Sequence, residues 1–363
     1  MPVPRAQRLV ALDVFRGMTV AAMILVNNPG EYAAVYRPLQ HAEWNGCTPT
    51  DLIFPFFLFI TGVAIPFSLA STSESGWRLR GRITRRALVV FALGIFLNGF
   101  PAFTWSTLRI PGVLQRIALC YGCASLVVLE LSIPAQALTA LFFVAGYWFA
   151  MTWVPSAASP DANPAARLDN YLMHGHLLHD AWDPEGVLST LPAIATTLCG
   201  ALTGHWLRTS HPIAERIRLL WIWGALGLCA GLMVDDRWWP MNKSLWTGSF
   251  VLFTTGAALL MLGLCLWVCE FPGGTAWTKP FAAFGSNPIV AYVLSVLVAK
   301  LLYLWRIPRA DGSLTAASHY VFERIFLPIA TPFDASLLYA VGYTLLWLLV
   351  SSFLYRRHVL IRI

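Results

Sequence analysis

The sequence predicts an all-α integral membrane protein with about ten transmembrane helices in one domain. The first observation behind this prediction is composition: of 363 residues, 57% are hydrophobic and only 12% are charged. The second is that the apolar residues lie in long runs separated by short polar segments. A hydrocarbon layer requires roughly 20 apolar residues per helix, so the chain has room for about ten spans. No polar stretch is long enough for a second core, and residues 1–363 are predicted to form a single multi-pass domain.

The apolar runs give the predicted spans in order, and charged or turn-forming residues set their boundaries. The first run contains Asp13 and Arg16 and no small-residue cleavage site, so it is predicted to be a retained span and not a removable signal peptide. The second follows Thr48-Pro49-Thr50-Asp51, a pattern typical of a helix start. The predicted spans cover residues 9–28, 50–70, 86–103, 111–131, 135–155, 187–207, 217–235, 246–269, 281–305 and 335–355.

Positive charge is distributed unevenly between the loops of this topology. With a cytoplasmic N-terminus, 14 of the 25 Lys and Arg residues fall in cytoplasmic segments and eight in the opposite loops. Cytoplasmic loops of membrane proteins carry such an excess, so an N-in, C-in orientation is predicted. The net charge of +7 is therefore interpreted as a topology signal, and nucleic acid is not expected as a partner. The cytoplasmic group includes Arg5, Arg8, Arg362 and the arginines between residues 78 and 86.

The opposite, outer loops hold most of the His, Asn, Asp and Trp residues that could take part in catalysis or binding. These loops are residues 29–48, 156–186, 236–245 and 306–334, and the stretch 154–166 is predicted to be an exposed flexible loop. Functional residues commonly lie on loops held by a rigid scaffold. We therefore expect the site to open away from the cytoplasm.

Two features near the N-terminus suggest a function without establishing one. Asp13 and Arg16 are three residues apart and share a helix face, so they either form a structural ion pair or leave Arg16 facing a ligand such as a phosphate. His41 lies in an outer loop, and an imidazole side chain suits proton transfer. Asp51 is a partner for His41 or, equally, a helix cap. Spacing alone leaves these alternatives open.

A histidine-rich segment suggests a metal site. His174, His176 and His179 are followed by Asp180 and Asp183, and histidine and carboxylate side chains are common zinc ligands. The spacing fixes no fourth ligand, so no metal is predicted.

Several longer motifs make the sequence resemble the heparan-α-glucosaminide N-acetyltransferase family. They occur in the family's order over nearly the whole chain and contain unusual residues. They are residues 12–17 (LDVFRG), 25–27 (LVN), 41–46 (HAEWNG), 51–57 (DLIFPFF), 109–116 (RIPGVLQR), 183–186 (DPEG), 242–246 (NKSLW) and 286–288 (SNP).

This resemblance implies a membrane-embedded acetyltransferase that moves an acetyl group from cytosolic acetyl-CoA to a saccharide on the non-cytoplasmic face. His41 matches the family's catalytic histidine, as base or acyl acceptor, and Asn27 matches its site asparagine, a candidate donor to the oxyanion. Asp51 would orient the imidazole or hold the acceptor. The acceptor, an amino sugar or another saccharide, stays open, as does the choice between direct transfer and an acetyl-histidine.

The resemblance also implies cationic residues for the phosphates of CoA. The candidates are Arg16, Arg109, Arg116 and Lys243, each with a helix-end or ion-pair role as the alternative. Membrane lipid is expected around the spans, a homodimer is left open, and the inner membrane of a bacterium is the expected location. A transporter of a sugar or small anion is the rival interpretation, because intramembrane charges such as Arg116 and Lys300 also suit a translocation path.

Overall fold

A computed structural model describes residues 10–153, 160–270, 274–309 and 311–359, and within them the chain is mostly α-helical. Arg5, Arg8 and Arg362, which contribute to the predicted orientation, lie outside these ranges, as do residues 154–159 of the loop predicted to be flexible. The helices are α1 (Val10–Asn27), α2 (Ile53–Ala70), α3 (Gly76–Gly99), α4 (Val113–Glu130), α5 (Ile133–Thr152), α6 (Pro164–Met173), α7 (Thr190–Leu207), α8 (Ile213–Arg237), α9 (Gly248–Glu270), α10 (Gly274–Ser286), α11 (Pro288–Leu304), α12 (Ala317–Val321) and α13 (Pro332–Arg356).

Among the described residues, seven helices are long and apolar enough to cross a membrane. They are α1, α4, α5, α8, α9, α13 and α2 together with the 3₁₀ turn before it, Pro49–Leu52. Helices α10 and α11 meet at a 74° bend and form an eighth span if they are taken as one broken element. The multi-pass helical class is thus confirmed, whereas the count of about ten and the N-in, C-in orientation stay predictions.

Two predicted spans correspond to helices outside this group of seven, α3 and α7. Helix α3 begins at Gly76 and not near residue 86, because the arginines between residues 78 and 86 continue the helix beyond the apolar run. Helix α7 matches the predicted 187–207, and most of its residues are buried against neighbouring helices, Thr196 and Thr197 included. A helix packed inside a bundle needs less apolar surface than one facing lipid, which explains its weaker hydropathy.

The loops predicted to lie on the outer side contain structure that the sequence did not predict. Helix α6 lies within 156–186, where a loop was predicted; Asn163 caps it by accepting the Ala166 N–H at 2.9 Å, and Pro164 occupies its first position. The segment 306–334 contains two short antiparallel strands, β1 (Arg306–Pro308) and β2 (Leu314–Ala316), with Arg306 opposite Ala316. Helix α12 follows them directly.

Helices α1 and α10 pack backbone to backbone. A Cβ on Gly17 would collide with the Phe281 carbonyl oxygen, and one on Gly285 would collide with the Asp13 carbonyl oxygen. Small residues permit such close approach between membrane helices. The contact brings the charged part of α1 next to the end of α10.

The bend between α10 and α11 has a local cause. Pro288 has no N–H to continue the α10 ladder and begins α11 as its first residue. Asn287, at φ −135° and ψ 56°, leaves the helical region, and its Nδ2 donates to the Val359 carbonyl at 2.8 Å. The break therefore lies at a buried residue, since Asn287 is 2% exposed.

Candidate active site

The loop after α1 carries His41 and is anchored to α13. The Gly30 N–H donates to the Ser336 carbonyl at 3.3 Å, and the Glu31 N–H donates to the Ser336 hydroxyl oxygen at 3.1 Å. Asn28 closes the end of α1 by donating to the Ile24 carbonyl at 2.7 Å. The loop therefore leaves the bundle in a fixed direction.

His41 and Asp51 form a hydrogen-bonded pair. The His41 Nδ1 lies 2.7 Å from Asp51 Oδ1, and the side chains are 53% and 1% exposed, respectively. Asp51 Oδ2 accepts the backbone N–H groups of Ala42 and Thr48, each at 3.0 Å. Because an ionised carboxylate only accepts hydrogen bonds, we assign the Nδ1–H tautomer to His41 from its contact with Asp51 Oδ1. In this tautomer Nε2 carries the lone pair that a general base requires.

Lys243 joins this pair from a distant part of the sequence. Its Nζ lies 3.3 Å from Asp51 Oδ1 and 2.9 Å from His41 Nδ1. Burial lowers the pKa of the Lys243 ammonium below its ordinary value, and the negative charges of Asp51 and Glu185 oppose that shift. Since Nδ1–H donates to the carboxylate, the ammonium is paired with Asp51 and lies beside the ring. Lys243, predicted to bind phosphate, is located at the histidine.

Hydrogen bonds between two loops hold Lys243 in this position. The Gly46 N–H donates to the Met241 carbonyl at 2.7 Å, and Asn242 Nδ2 donates to Asn45 Oδ1 at 3.2 Å. Asn242 Oδ1 also accepts the Leu245 N–H at 2.9 Å. The motif 242–246 therefore acts as a support for the motif 41–46.

His41 and Asn27 line one open cavity of about 830 Å³. Asn27, an exposed residue, is the last residue of α1. Lys300 lines the same cavity, and its Nζ donates to the carbonyls of Leu97 and Phe100 at 2.5 and 3.3 Å, at the end of α3. The aromatic walls of this cavity were not predicted from the sequence, because their residues are far apart in the chain. The tyrosines of this cavity are Tyr32, Tyr292, Tyr303, Tyr339 and Tyr343.

Arg109 is held by two carboxylates. Its guanidinium binds Asp183 through both oxygens, at 2.8 and 2.7 Å, and Glu185 at 2.6 Å. Burial would lower the pKa of Arg109, but the hydrogen bond and charge of Asp183 and the charge of Glu185 raise it above its ordinary value. This bidentate geometry is that of a strong protein ion pair.

Arg116 is buried, with 2% of its surface exposed. It donates to the Gly186 carbonyl and the Ser189 hydroxyl, and its guanidinium lies over the Trp246 ring, 5.3 Å from the centroid. Arg109 and Arg116 therefore bind groups on the segment 183–189, and neither is among the residues that line the cavity at His41.

Arg16 lies at a second, smaller cavity of about 180 Å³. Its Nη1 is 3.4 Å from Asp13 Oδ1, so the predicted ion pair is present at long distance. Arg86, Tyr121 and Asn287 also line this cavity. Of the predicted site residues, the structure thus brings together His41, Asp51, Lys243 and Asn27, and it places Arg16 apart from them.

The histidines considered for a metal site contact protein groups. His174 Nδ1 lies 2.8 Å from Asn170 Oδ1, and His176 Nδ1 lies 2.8 Å from the Leu108 carbonyl oxygen. The His179 ring stacks on Trp182, with 4.4 Å between centroids. No cluster of three His, Cys, Asp or Glu side chains suited to a metal occurs within the described ranges.

Comparisons with known proteins agree with the motifs. The family model described as heparan-alpha-glucosaminide N-acetyltransferase, catalytic, matches residues 8–224, more than half of the chain. The heparan-alpha-glucosaminide N-acetyltransferase of Homo sapiens is 26% identical over 97% of this chain and 59% of that protein. The enzyme of that name from Mus musculus is 28% identical over 79% of this chain and 53% of its own length. The chain therefore spans somewhat more than half the length of these relatives, and it belongs to the heparan-alpha-glucosaminide N-acetyltransferase catalytic family, as its motifs predicted.

Proposed function

We propose that the protein transfers an acetyl group from acetyl-CoA to a saccharide, with His41 as the base. The observation that carries this proposal is the 2.7 Å contact between His41 Nδ1 and the buried Asp51, at the edge of a cavity large enough for a small substrate. The family membership and the names of the relatives support acyl transfer as the chemistry.

The direction of proton transfer follows from the hydrogen-bond roles of His41 and Asp51. The acceptor nitrogen or oxygen attacks the thioester carbon, its proton passes to His41 Nε2, and the C–S bond breaks as the tetrahedral intermediate collapses. The thiolate leaves as CoA and takes up a proton. Asp51 stabilises the imidazolium that forms, because its carboxylate accepts Nδ1–H. Attack by Nε2 itself, giving an acetyl-histidine, uses the same geometry.

Asn27 is proposed to stabilise the oxyanion. Its amide lines the cavity that His41 also lines, and an amide N–H aimed at a developing negative charge contributes most in the transition state. Lys243 is proposed as a positioning residue, since its ammonium is paired with Asp51 and does not line this cavity.

The donor is proposed to bind with its phosphates near Arg16 and not at Arg109 or Arg116. Arg16 lines a cavity, whereas the other two guanidiniums donate to groups on the segment 183–189. Arg109 would lose short ion pairs with Asp183 and Glu185 on binding phosphate, whereas the Arg16 pair with Asp13 is longer, at 3.4 Å. Arg116 is buried, so Arg109 and Arg116 are better suited to holding that segment.

The acceptor is proposed to be an amino sugar or another saccharide on the non-cytoplasmic face. Tyrosine rings and hydroxyls line the cavity, and they offer both apolar faces and hydrogen bonds to a sugar. The variant His41→Cys tests on which side of the membrane the site opens. Its thiol should react with a membrane-impermeant reagent added on the side opposite to a reporter fused after Arg86. Reaction on the same side contradicts the proposed orientation.

A thiol-release assay tests the reaction itself. Purified protein with acetyl-CoA and glucosamine should liberate free CoA and form an acetylated sugar, detected by mass spectrometry. A transporter of the same sugar would instead move it into liposomes without forming CoA. Uptake without thiol release overturns the proposed transfer.

A further inference from the structure

Helix α3 extends about ten residues beyond its apolar run, or about 15 Å at 1.5 Å per residue. It begins at Gly76, whereas the apolar run begins near residue 86. One side of this extension is attached to the bundle, because Leu79 and Ile83 are 5% and 3% exposed and Arg80 binds Glu130 at the end of α4. The directions in which its other sides point are therefore fixed as well.

A second side of the extension is exposed and carries two arginines, Arg78 and Arg85. At about 100° per residue, they share roughly one third of the helix circumference with Trp77 and Gly81. All four residues are exposed, Trp77 by 78%. A Cβ on Gly81 would meet no other atom within 4 Å, so the surface between the longer side chains is open. We call Trp77, Arg78, Gly81 and Arg85 the basic face of α3.

The arginines of the basic face lack protein partners. Within the ranges that the structure describes, neither Arg78 nor Arg85 makes a hydrogen bond or an ion pair through its guanidinium. Glu74 and Glu130 pair with other arginines, at 3.4 and 2.7 Å. Two unpaired cations on one side of a helix attract an anion, and a guanidinium binds phosphate oxygens through two parallel N–H groups.

Beyond Arg85 the same side of α3 is apolar. Leu88 is 63% exposed, Val89 is 42% exposed, and Ala92 is also exposed. Exposed apolar side chains of a membrane helix face the hydrocarbon layer of the bilayer. Leu88 lies about 5 Å from Arg85 along the helix axis. The basic face therefore adjoins a surface that contacts lipid chains.

We propose that the basic face of α3 binds the phosphate of an anionic phospholipid headgroup, while an acyl chain of that lipid lies along Leu88 and Ala92. An amphiphile matches both parts of this surface, whereas a soluble phosphate or nucleotide would contact the arginines and leave the apolar side chains without a partner. Tryptophan is enriched at the headgroup level of membranes, which agrees with the position of Trp77.

The charge of the basic face favours an anionic over a zwitterionic lipid. The cation of a choline or ethanolamine headgroup would lie beside the second arginine and be repelled by it. A glycerol or serine headgroup with net negative charge avoids this repulsion, and each arginine near an anionic membrane surface adds to the attraction. The inference does not depend on the proposed acetyl transfer.

The experiment measures the affinity of the full chain in detergent micelles for phosphatidylglycerol and for phosphatidylcholine by native mass spectrometry. The double variant Arg78→Gln/Arg85→Gln should bind phosphatidylglycerol about 25-fold more weakly than wild type, at about fivefold for each arginine. Phosphatidylcholine binding should change much less, so the preference for the anionic lipid should be lost. The control Arg80→Gln/Glu130→Gln removes an ion pair from the same helix without changing the net charge, and it should match wild type.

The variant Gly81→Glu tests the same face with both arginines in place. Its carboxylate lies three residues from Arg78 and four from Arg85 on the helix, so it pairs with them and repels phosphate. A Cβ at position 81 meets no other atom and glycine disfavours helix interiors, so this variant should fold. Its affinity for phosphatidylglycerol should fall about fivefold or more, and it decides the question if the double variant does not fold.

Unchanged phosphatidylglycerol affinity in the folded double variant overturns the proposal, and so does an equal loss in the control. An equal loss of phosphatidylcholine binding overturns it as well, because the face then does not recognise charge. Two other occupants are tested with phosphatidylglycerol binding retained in the double variant. Loss of bound inorganic phosphate or coenzyme A would assign the face to a soluble anion, and a change from dimer to monomer would assign it to a second copy of the chain; either result overturns the proposal.

Discussion

Asp51→Asn separates the two roles of this carboxylate. Oδ2 accepts two fixed backbone N–H groups, from Ala42 and Thr48, so the amide oxygen of the substituted side chain must take that position. Its NH₂ then faces His41 Nδ1, which lies 2.7 Å from Oδ1 in the native protein. Because an NH₂ group only donates, Nδ1 must become an acceptor and the ring proton moves to Nε2. The imidazole then no longer offers a basic Nε2 to the acceptor.

The size of the effect follows from two losses. Removing a hydrogen bond to a charged group costs about 1.5–3 kcal/mol, or roughly tenfold to 150-fold in rate if it is made in the transition state. The wrong tautomer adds to this, and loss of a general base typically costs about 10²–10⁴-fold. We therefore expect acetyl transfer by Asp51→Asn to fall by at least about 100-fold.

The assay is thiol release at saturating donor, with donor affinity measured in parallel. The affinity for the donor should change little, since Asp51 is not among the residues that line the smaller cavity at Arg16. Glu43→Gln is the matched control, because Glu43 is an exposed acid of the same loop and should keep near-normal activity. Activity of folded Asp51→Asn within a few fold of wild type would refute the orienting role of the carboxylate.

Three further predictions follow from the same structure. His41→Ala should lose about 100-fold or more of the transfer rate with donor affinity retained, and mass spectrometry of wild type given donor alone should find an acetyl adduct on His41 only if a two-step route operates. Arg109→Ala should lower the free energy of unfolding by about 3–5 kcal/mol, because Asp183 and Glu185 lose their partner. Thermal unfolding measures this loss. Weaker donor binding by the folded variant would instead indicate that Arg109 binds a phosphate of the donor. Burial raises the pKa of Asp169 to about 6, so the folded state favours its protonated form and stability should fall as pH rises from about 4 to 6 and then level. Asp169→Asn should flatten that decline, and an unchanged pH dependence of the melting temperature contradicts it.

The membrane class was predictable from sequence because it depends on local signals, whereas spacing left the pairing of His41 with Asp51 open beside a helix-cap role. Apolar runs fix helices with few alternatives in a bilayer, and the motifs around His41 and Asp51 are contiguous. The boundary of α3 was wrong because charged residues extend a helix as readily as apolar ones do, so hydropathy marks only the apolar part. Helix α6 was missed because its signal, Asn163 before Pro164, is short and lies in a polar stretch.

The partners of each charged side chain were not predictable, because they come from distant parts of the chain. Lys243 carries the positive charge expected of a residue that binds phosphate, yet the hydrogen bonds of Asn242 and Gly46 place it against Asp51. Arg109 has the same charge and is bound by two carboxylates more than 70 residues away in sequence. Sequence identified which residues are charged, and only packing decides which charges are already paired.

The two sequence interpretations of Asp51, helix cap and partner of His41, are compatible because a carboxylate has two oxygens. Oδ2 accepts the Thr48 N–H at 3.0 Å, as in a capping box at the start of the second span, while Oδ1 accepts from His41. The pair proposed for catalysis therefore uses the same carboxylate that caps the turn before α2, through its other oxygen. The Asp51 side chain is 1% exposed, and its Oδ2 also accepts the Ala42 N–H, so the loop that carries His41 is tied to the start of this helix. Because His41 is 53% exposed and Asp51 is buried, the imidazole is the half of the pair that would meet a substrate in the proposed reaction.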